Sequence, residues 1–496
     1  MGANTTEQSR LSVLLDTNIL IALEGDEDAR HVNGEKASNV FRLIHEAGGS
    51  AQILENQFDD FARIRDEELK SRRIRQRQKY VVRSRVVVDS DFMKRAGYRP
   101  DMDSRSNDAV DAALLLALAR NTASWLITED RGLHSHSRNL QLHERVMTLD
   151  DALSALSALV GAPTPAHFSA EIVEPHVFDL SHAFFDSLRR GYEGFDSWWT
   201  EKVVPDGRPC LLIGTHSDIR GLAVLDGQEN ENLPGPGMKI CMFKIAETEQ
   251  GRKLGESLLE ATMSFIRRRK AVSCFIEVSR KRADVLGLLK EFGFFDLGIK
   301  DGSPEEAVLG KMLDPAADQN PPTDPLEFNR RYGPGRRIVE RAFVVPIIPK
   351  YHGMLFPASE RQPTLFDTTY GNAVRKVYIS HANMKVLEPG DTLLFLRTHD
   401  QQAIHAVGIV EQVIRTRDLH TLLSFAGTRT VYAARELEEL CHKEVLAIKF
   451  RLDEVLERPA SRRELIALGV IADSPQSISQ VKKEEGIRWV RTLQDA

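Results

Sequence analysis

The chain has 496 residues, with 66 Lys and Arg against 72 Asp and Glu, a net charge of −6 and a pI near 6.2. That length suits about three domains, each able to bury a core, and the mild acidity excludes wholesale coating by nucleic acid, so any such contact must be local. Cys210, Cys241, Cys274 and Cys441 form no CxxC pair, which excludes a disulfide framework or a structural zinc site and fits a reducing cytoplasm. No apolar run reaches membrane-spanning length, so no membrane partner is expected. The opening MGANTT fits the short myristoylation pattern, which recurs often by chance.

The first predicted element is a buried strand in LSVLLDTNIL, Leu11 to Leu20. It ends in Asp16, Thr17 and Asn18, at the carboxyl end of a strand where open α/β sheets build ligand crevices. Further acids follow: Asp60 in QILENQFDDF, Asp108 and Asp111 three apart at the start of the helix NDAVDAALLLALA, and Asp130 after a second strand in ASWLITED. Carboxylates brought together repel unless a cation occupies them, and hard oxygen ligands favour Mg²⁺ or Mn²⁺. Such an ion can activate water and stabilise a pentacovalent phosphate. From Arg63 to Arg85 the chain carries ten Lys or Arg against Asp66, Glu67 and Glu68. Arg72, Arg73, Arg75 and Arg77 in this tract are candidates for holding an RNA backbone, against the alternative of a solvated helix face with internal ion pairs.

LLDTN, an acid after an apolar residue, DAALLLALA and LITED together resemble the PIN-domain ribonucleases over roughly residues 10 to 155. The resemblance implies a parallel α/β/α sandwich over residues 1–158. It implies a metal site at Asp16, Asp60, Asp111 and Asp130 with Asp108 alternative or additional, support from Thr17, Asn18 and Thr128, and pairing of copies through this domain. His134 and His136 in LHSHSR read as loop residues.

Residues 160–168 read as a hinge and open a second segment, 169–313. In it Trp198 and Trp199 stand side by side, either packing in a core or offering a face to a base or adenine ring. CLLIGTH and GLAVLDG form a predicted hairpin, KICMFKI a strand, and AETEQGRKLGESLLEATMSFI a glycine-containing turn that opens a helix and aims backbone N-H groups at an anion. SCFIEVS, a helix and KEFGFFDLG follow. This order resembles the GNAT acetyltransferases, an α+β mixed-sheet fold. The resemblance implies that the turn residues Gln250, Gly251, Arg252, Lys253, Leu254, Gly255 and Glu256 hold the pyrophosphate of acetyl-CoA. Lys253 replaces the first glycine of the usual pattern, and Leu289 stands where many members carry the tyrosine that protonates the departing thiolate. Glu277, sharing a strand face with Phe275 and Ser279, is the candidate base, ahead of Glu247 and Glu249.

Residues 314–337 are rich in Pro and Gly and read as a linker. Over 338–496, RAFVVPIIP, KVYISH, DTLLFLRTHD and IHAVGIVEQV are predicted strands, and VLEPGDTLLFL a Pro-Gly turn feeding one of them. The piece GNAVRKVYIS, LEPGDTLLFLRT and AVGIVEQV resembles ASCH and related PUA-like domains, which implies a β-barrel that binds RNA, tRNA among the candidates. Lys376, Arg397, Thr398 and His381 are its candidate pocket residues, and RRYGPGRR would extend the same face.

Three functions are therefore expected: a metal-dependent endoribonuclease with acetyl-CoA as regulator or second substrate, in RNA processing or a toxin or defence role; an N-acetyltransferase acting on RNA or an RNA-associated protein; or a non-enzymatic RNA-binding scaffold.

Overall fold

The computed structural model describes residues 11–24, 33–59, 80–99, 103, 106–160, 170–249, 253–357, 373–427, 429 and 432–493. The chain is a multidomain α/β protein of two compact units: Met1–Thr164 with Ile379–His381 and Ile414–Ala447, and Pro165–Tyr378 with Ala382–Val413 and Ile448–Ala496. Asp60, Arg72, Arg73, Arg75 and Arg77, most of the 160–168 hinge, and Gln250, Gly251 and Arg252 lie outside the described residues.

In the first unit, β1 (Ser12–Leu15), β2 (Ser50–Leu54), β3 (Val81–Arg83), β4 (Trp125–Ile127) and β5 (Val146–Met147) form a parallel sheet in the order β3-β2-β1-β4-β5. The continuous apolar run of β1 is buried throughout, as a central parallel strand covered on both faces requires. The helix Asn107–Ala119 buries Ala109, Val110 and every residue from Ala112 to Leu118, so its Ala/Leu sequence reflects packing on nearly all sides. The chain grows from β1 outward to β2 and β3, then returns to the other side of β1 with β4. That reversal is the topological switch point of the sheet.

A helix from far along the chain, Leu419–Ala426, belongs to this unit. The Trp125 indole donates to Leu423 O at 3.4 Å, and the His420 ring lies 2.9 Å from Ser124 Oγ and 2.9 Å from Asn121 O. The distance in sequence hid this contact from sequence reading.

The remaining strands form two further sheets. One contains β6 (Ala170–Val173), β7 (Cys210–Thr215), β8 (Asp218–Asp226), β9 (Gly237–Ile245), β10 (Ser273–Ser279), β11 (Phe295–Lys300) and β12 (Ser303–Met312), in the order β11-β12-β10-β9-β8-β7-β6. The other contains β13 (Ala342–Ile347), β14 (Arg375–Ser380), β15 (Thr392–Arg397), β16 (Ala403–Thr416), β17 (Val445–Ser461) and β18 (Ser479–Gln480), in the order β14-β17-β16-β15-β13-β18. Trp199 is buried among Phe178, Phe185 and Phe195, so the tryptophan pair packs a core rather than offering a stacking face.

The segment read as a linker is folded. It carries the helix Pro325–Tyr332, whose last carbonyls accept from the buried Lys311 ammonium, Arg331 O at 2.9 Å and Arg330 O at 3.3 Å, while Phe292 O accepts at 2.6 Å. Beyond it Arg337, fully buried, pairs with Asp453. Asp453 also accepts from Asn329 Nδ2 at 2.5 Å and Gly335 N at 2.8 Å. Arg331 is held by Asp318 at 3.0 Å. Two of the four arginines of RRYGPGRR are thus engaged in ion pairs within the fold. Among the described residues no helix is long and apolar enough to cross a membrane.

Candidate functional site

Asp16 leaves the end of β1 and caps the helix Thr17–Glu24, with Ile19 N and Leu20 N donating to its carbonyl at 3.1 Å. Its buried carboxylate accepts from Thr17 N at 2.6 Å on one oxygen and from the Thr128 hydroxyl at 2.6 Å on the other. Thr128 follows β4, so this hydrogen bond joins the two strands at the switch point. Asn18 Nδ2 donates to Thr128 Oγ1 at 3.2 Å, which leaves the threonine proton for Asp16. Sequence reading named Thr17, Asn18 and Thr128 as supports. It missed Gln57, fully buried, whose amide donates to Leu15 O at 2.9 Å and whose carbonyl accepts from Leu54 N at 2.8 Å, tying β1 to β2. A lone glutamine after an apolar strand carries no sequence signal for that role.

Asp130 lies two residues past Thr128 and caps the helix Arg131–Asn139 by accepting from Leu133 N at 2.8 Å. This cap makes the LHSHSR stretch helical, correcting the loop expected for His134 and His136. Asp108 lies in the first turn of the helix Asn107–Ala119, exposed, and Asp111 stands one turn on, half-buried.

Tyr98 brings these acids into one account. Gly97 ends the helix Ser90–Ala96 with φ +89°, a conformation open to glycine, and Tyr98 N closes the turn on Met93 O at 2.8 Å. A Cβ at Gly97 would also meet Asn139 Nδ2 at 2.8 Å. The turn lays the Tyr98 ring on the His136 ring, centroids 3.8 Å apart. The residue is 8% exposed, and its hydroxyl has no hydrogen-bond partner among the described residues. Burial, then the charges of Asp111, Asp108, Asp130 and Asp16, push its pKa above the ordinary tyrosine value. Hard oxygen donors of this kind suit Mg²⁺ or Mn²⁺. Among the described residues, however, no three His, Cys, Asp or Glu side chains stand close enough to hold an ion.

The second unit has a different candidate site. β9 and β10 run parallel in register only from Ser273↔Gly237 to Ile276↔Ile240. Beyond that point β9 continues with β8 to Ile245, and β10 with β12 to Ser279, so the two strands part. The helix Leu254–Arg268 follows β9. Lys253 precedes it at φ 56°, a conformation that favours glycine. A Cβ at Gly255 would meet Leu288 Cδ2 at 3.2 Å. Glu256 is buried; its carboxylate accepts from Val374 N at 2.8 Å and its amide donates to Lys253 O at 3.0 Å, so neither group faces a ligand as the sequence suggested.

Glu277 lies on β10 where the strands part, but Lys239 and Lys300 each hold one of its oxygens at 2.9 Å. Burial works to raise its pKa; the hydrogen bonds and charges of the two lysines outweigh it and the net shift is downward. This corrects the expectation of a base there, since a doubly paired carboxylate holds its charge and gives up basicity. Leu289 is fully buried in the core. Tyr192, not singled out from sequence, brings its phenol within the field of Glu306, Arg282, Lys300 and Glu277.

In the third sheet Lys376 is buried on β14 and Arg397 on β15 pairs with Asp400 at 2.7 Å. β17 and β16 lie between their strands, and Thr398 and His381 bond to Ile347 O and Leu440 O.

No protein-family model matches the chain, and no curated protein matches it. Parts of it are similar to solved structures. ASCH from Zymomonas mobilis matches at 14% identity over 30% of this chain and 94% of that one, TM-score 0.24. Ribosomal-protein-alanine N-acetyltransferase from Brucella melitensis matches at 16% over 29% and 99%, TM-score 0.24. PaiA N-acetyltransferase from Thermoplasma acidophilum, in complex with coenzyme A, matches at 15% over 29% and 99%, TM-score 0.22. Scores of this size leave the functional argument to the geometry.

Proposed function

We propose that the first unit is a metal-dependent endoribonuclease of the PIN type, acting at the crevice between the ends of β1 and β4. The observation that supports this reading is the pair Asp16 and Asp130 just past the carboxyl ends of the adjacent parallel strands β1 and β4, joined through Thr128, whose hydroxyl donates to Asp16 and accepts from Asp130 N at the switch point of the sheet. Mg²⁺ or Mn²⁺ bound among these acids would neutralise phosphate charge and activate water; among the described residues no three acids stand close enough to hold the ion, so the metal requirement is what the cleavage test decides. Thr17 N and the Thr128 hydroxyl fix the Asp16 carboxylate in place. The cap on Leu133 N fixes one Asp130 oxygen. A rigid acid set of this kind lowers the reorganisation needed when a phosphate arrives.

The test is cleavage of total cellular RNA by the full chain with Mn²⁺, beside Asp16→Asn. Cleavage lost in the variant supports the reading; intact RNA in every lane overturns it.

A second reading is favoured by the parting of β9 and β10 beside the helix Leu254–Arg268: the second unit binds acetyl-CoA, the thioester entering the gap and the pyrophosphate lying at Lys253 to Gly255. Calorimetric binding of acetyl-CoA to the full chain supports it. Without such binding the GNAT-like part keeps a scaffolding role.

A further inference from the structure

We infer that His134 is a positioning residue of the strand-end crevice: its imidazole holds the Thr128 carbonyl and so fixes the turn that sets Asp130 against Asp16. The inference rests on the nuclease reading of the crevice and adds a residue that neither motif nor spacing indicated.

β4 ends at Ile127, and Thr128 is where the chain leaves the sheet. Thr128 N still donates to Met147 O at 2.9 Å, and the Thr128 hydroxyl donates to Asp16 Oδ2 at 2.6 Å and accepts from Asp130 N at 2.9 Å. That leaves the carbonyl of a fully buried residue, which needs a donor. His134 Nε2 lies 3.0 Å from it. A carbonyl only accepts, so Nε2 carries the ring proton and, in the neutral imidazole, Nδ1 carries the lone pair.

His134 reaches Thr128 from the first turn of the helix Arg131–Asn139. Its own N donates to Asp130 O at 3.1 Å, and Leu133 N donates to Asp130 Oδ1 at 2.8 Å. Strand end, turn and helix start are thus closed into one ring of hydrogen bonds through Thr128, Asp130 and His134. Without the imidazole bond the helix start can swing on the backbone between Thr128 and Arg131, and the Asp130 carboxylate swings with it. Asp130 is exposed and its Oδ2 has no partner among the described residues, so this is the oxygen the turn presents to a ligand. Groups held in place before the substrate arrives react faster, and a misplacement of about 1 Å can cost about 100-fold in rate. His134 is half-buried and its ring makes no other bond among the described residues, so replacing it tests this bond alone.

The experiment measures kcat and KM for cleavage of a fluorescence-quenched oligoribonucleotide by the full chain with Mn²⁺, for wild type, His134→Phe and His134→Gln. Phenylalanine keeps a ring and removes the donor; glutamine keeps an amide donor near the Nε2 position and has no counterpart of Nδ1. The bond predicts kcat lowered about tenfold in His134→Phe with KM within about twofold of wild type, and kcat restored to within about twofold in His134→Gln. Thermal denaturation checks that both variants keep the fold. Unchanged kcat in His134→Phe overturns the inference. So does a raised KM with kcat kept, which makes His134 a substrate contact, and so does equal loss in both variants, which assigns the role to Nδ1. Ring-nitrogen NMR shifts of His134 in the wild-type chain give a test that needs no folded variant: a proton on Nε2 supports the inference, and a neutral ring with its proton on Nδ1 overturns it while leaving the nuclease reading in place. Wild type that does not cleave overturns that reading and this inference with it.

Discussion

The Thr128 hydroxyl donates to Asp16 Oδ2 at 2.6 Å, linking two residues 112 apart in sequence at the ends of adjacent parallel strands. The bond fixes a buried carboxylate at the strand end. Thr128→Val keeps the shape and removes the donor, and RNA cleavage with Mn²⁺ is expected to fall about 10–100-fold, as for other partners that orient a metal-binding group. Unchanged cleavage would show that Asp16 needs no such orientation.

Asp16→Asn keeps the volume but removes the charge and replaces one of the two oxygens that accept from Thr17 N and the Thr128 hydroxyl with an amide NH2. Cleavage is expected to drop by at least about 100-fold, the equivalent of a few kcal/mol of electrostatic stabilisation. The melting temperature should fall by no more than a few degrees, because one side-chain hydrogen bond is lost while a buried charge is removed. Cleavage and melting measured on the same preparation check both.

Lys253 holds φ 56° ahead of the helix Leu254–Arg268, where a side chain costs about 1–2 kcal/mol. Lys253→Gly is expected to leave stability equal or slightly raised while weakening acetyl-CoA binding through loss of the cation. Calorimetry with acetyl-CoA distinguishes this from Lys253→Val, which should lose stability as well.

His352 is buried against His405, ring centroids 5.0 Å apart, and neither of its nitrogens has a partner among the described residues. Burial, then the charges of His405 and Arg397, pull its pKa down to about 3, whereas an unfolded histidine protonates near 6.5. Between those values the unfolded chain binds the extra proton, so stability falls as pH falls through that window, by up to about 1.4 kcal/mol per pH unit. Melting temperature followed from pH 7 to pH 4 should drop less steeply in His352→Phe than in wild type; parallel curves would mean that His352 is not the titrating group.

Arg337→Met leaves Asp453 buried with Asn329 and the Gly335 amide but without its cation. Removing one partner of a buried ion pair costs about 3–5 kcal/mol. Urea unfolding of the full chain should show that loss, and a loss below about 1 kcal/mol would mean that the carboxylate protonates at little cost.

The sequence by itself determined the strands and the caps. LSVLLDTN, ASWLITED, KICMFKI and SCFIEVS became β1, β4, β9 and β10 because apolar runs of that length, bounded by polar residues, have few other ways to bury themselves. It also determined that Asp16 and Asp130 stand just past strand ends, Asp16 directly after β1 and Asp130 three residues after the end of β4. What only the tertiary structure decided is which groups face one another. Asp16 meets Thr128 across two strands; Glu277 loses its freedom to Lys239 and Lys300; Arg337 turns inward to Asp453 rather than outward to RNA. Local sequence sets hydrophobic period and capping within a few residues, whereas charge pairing and the desolvation that shifts a pKa depend on partners brought together from distant parts of the chain.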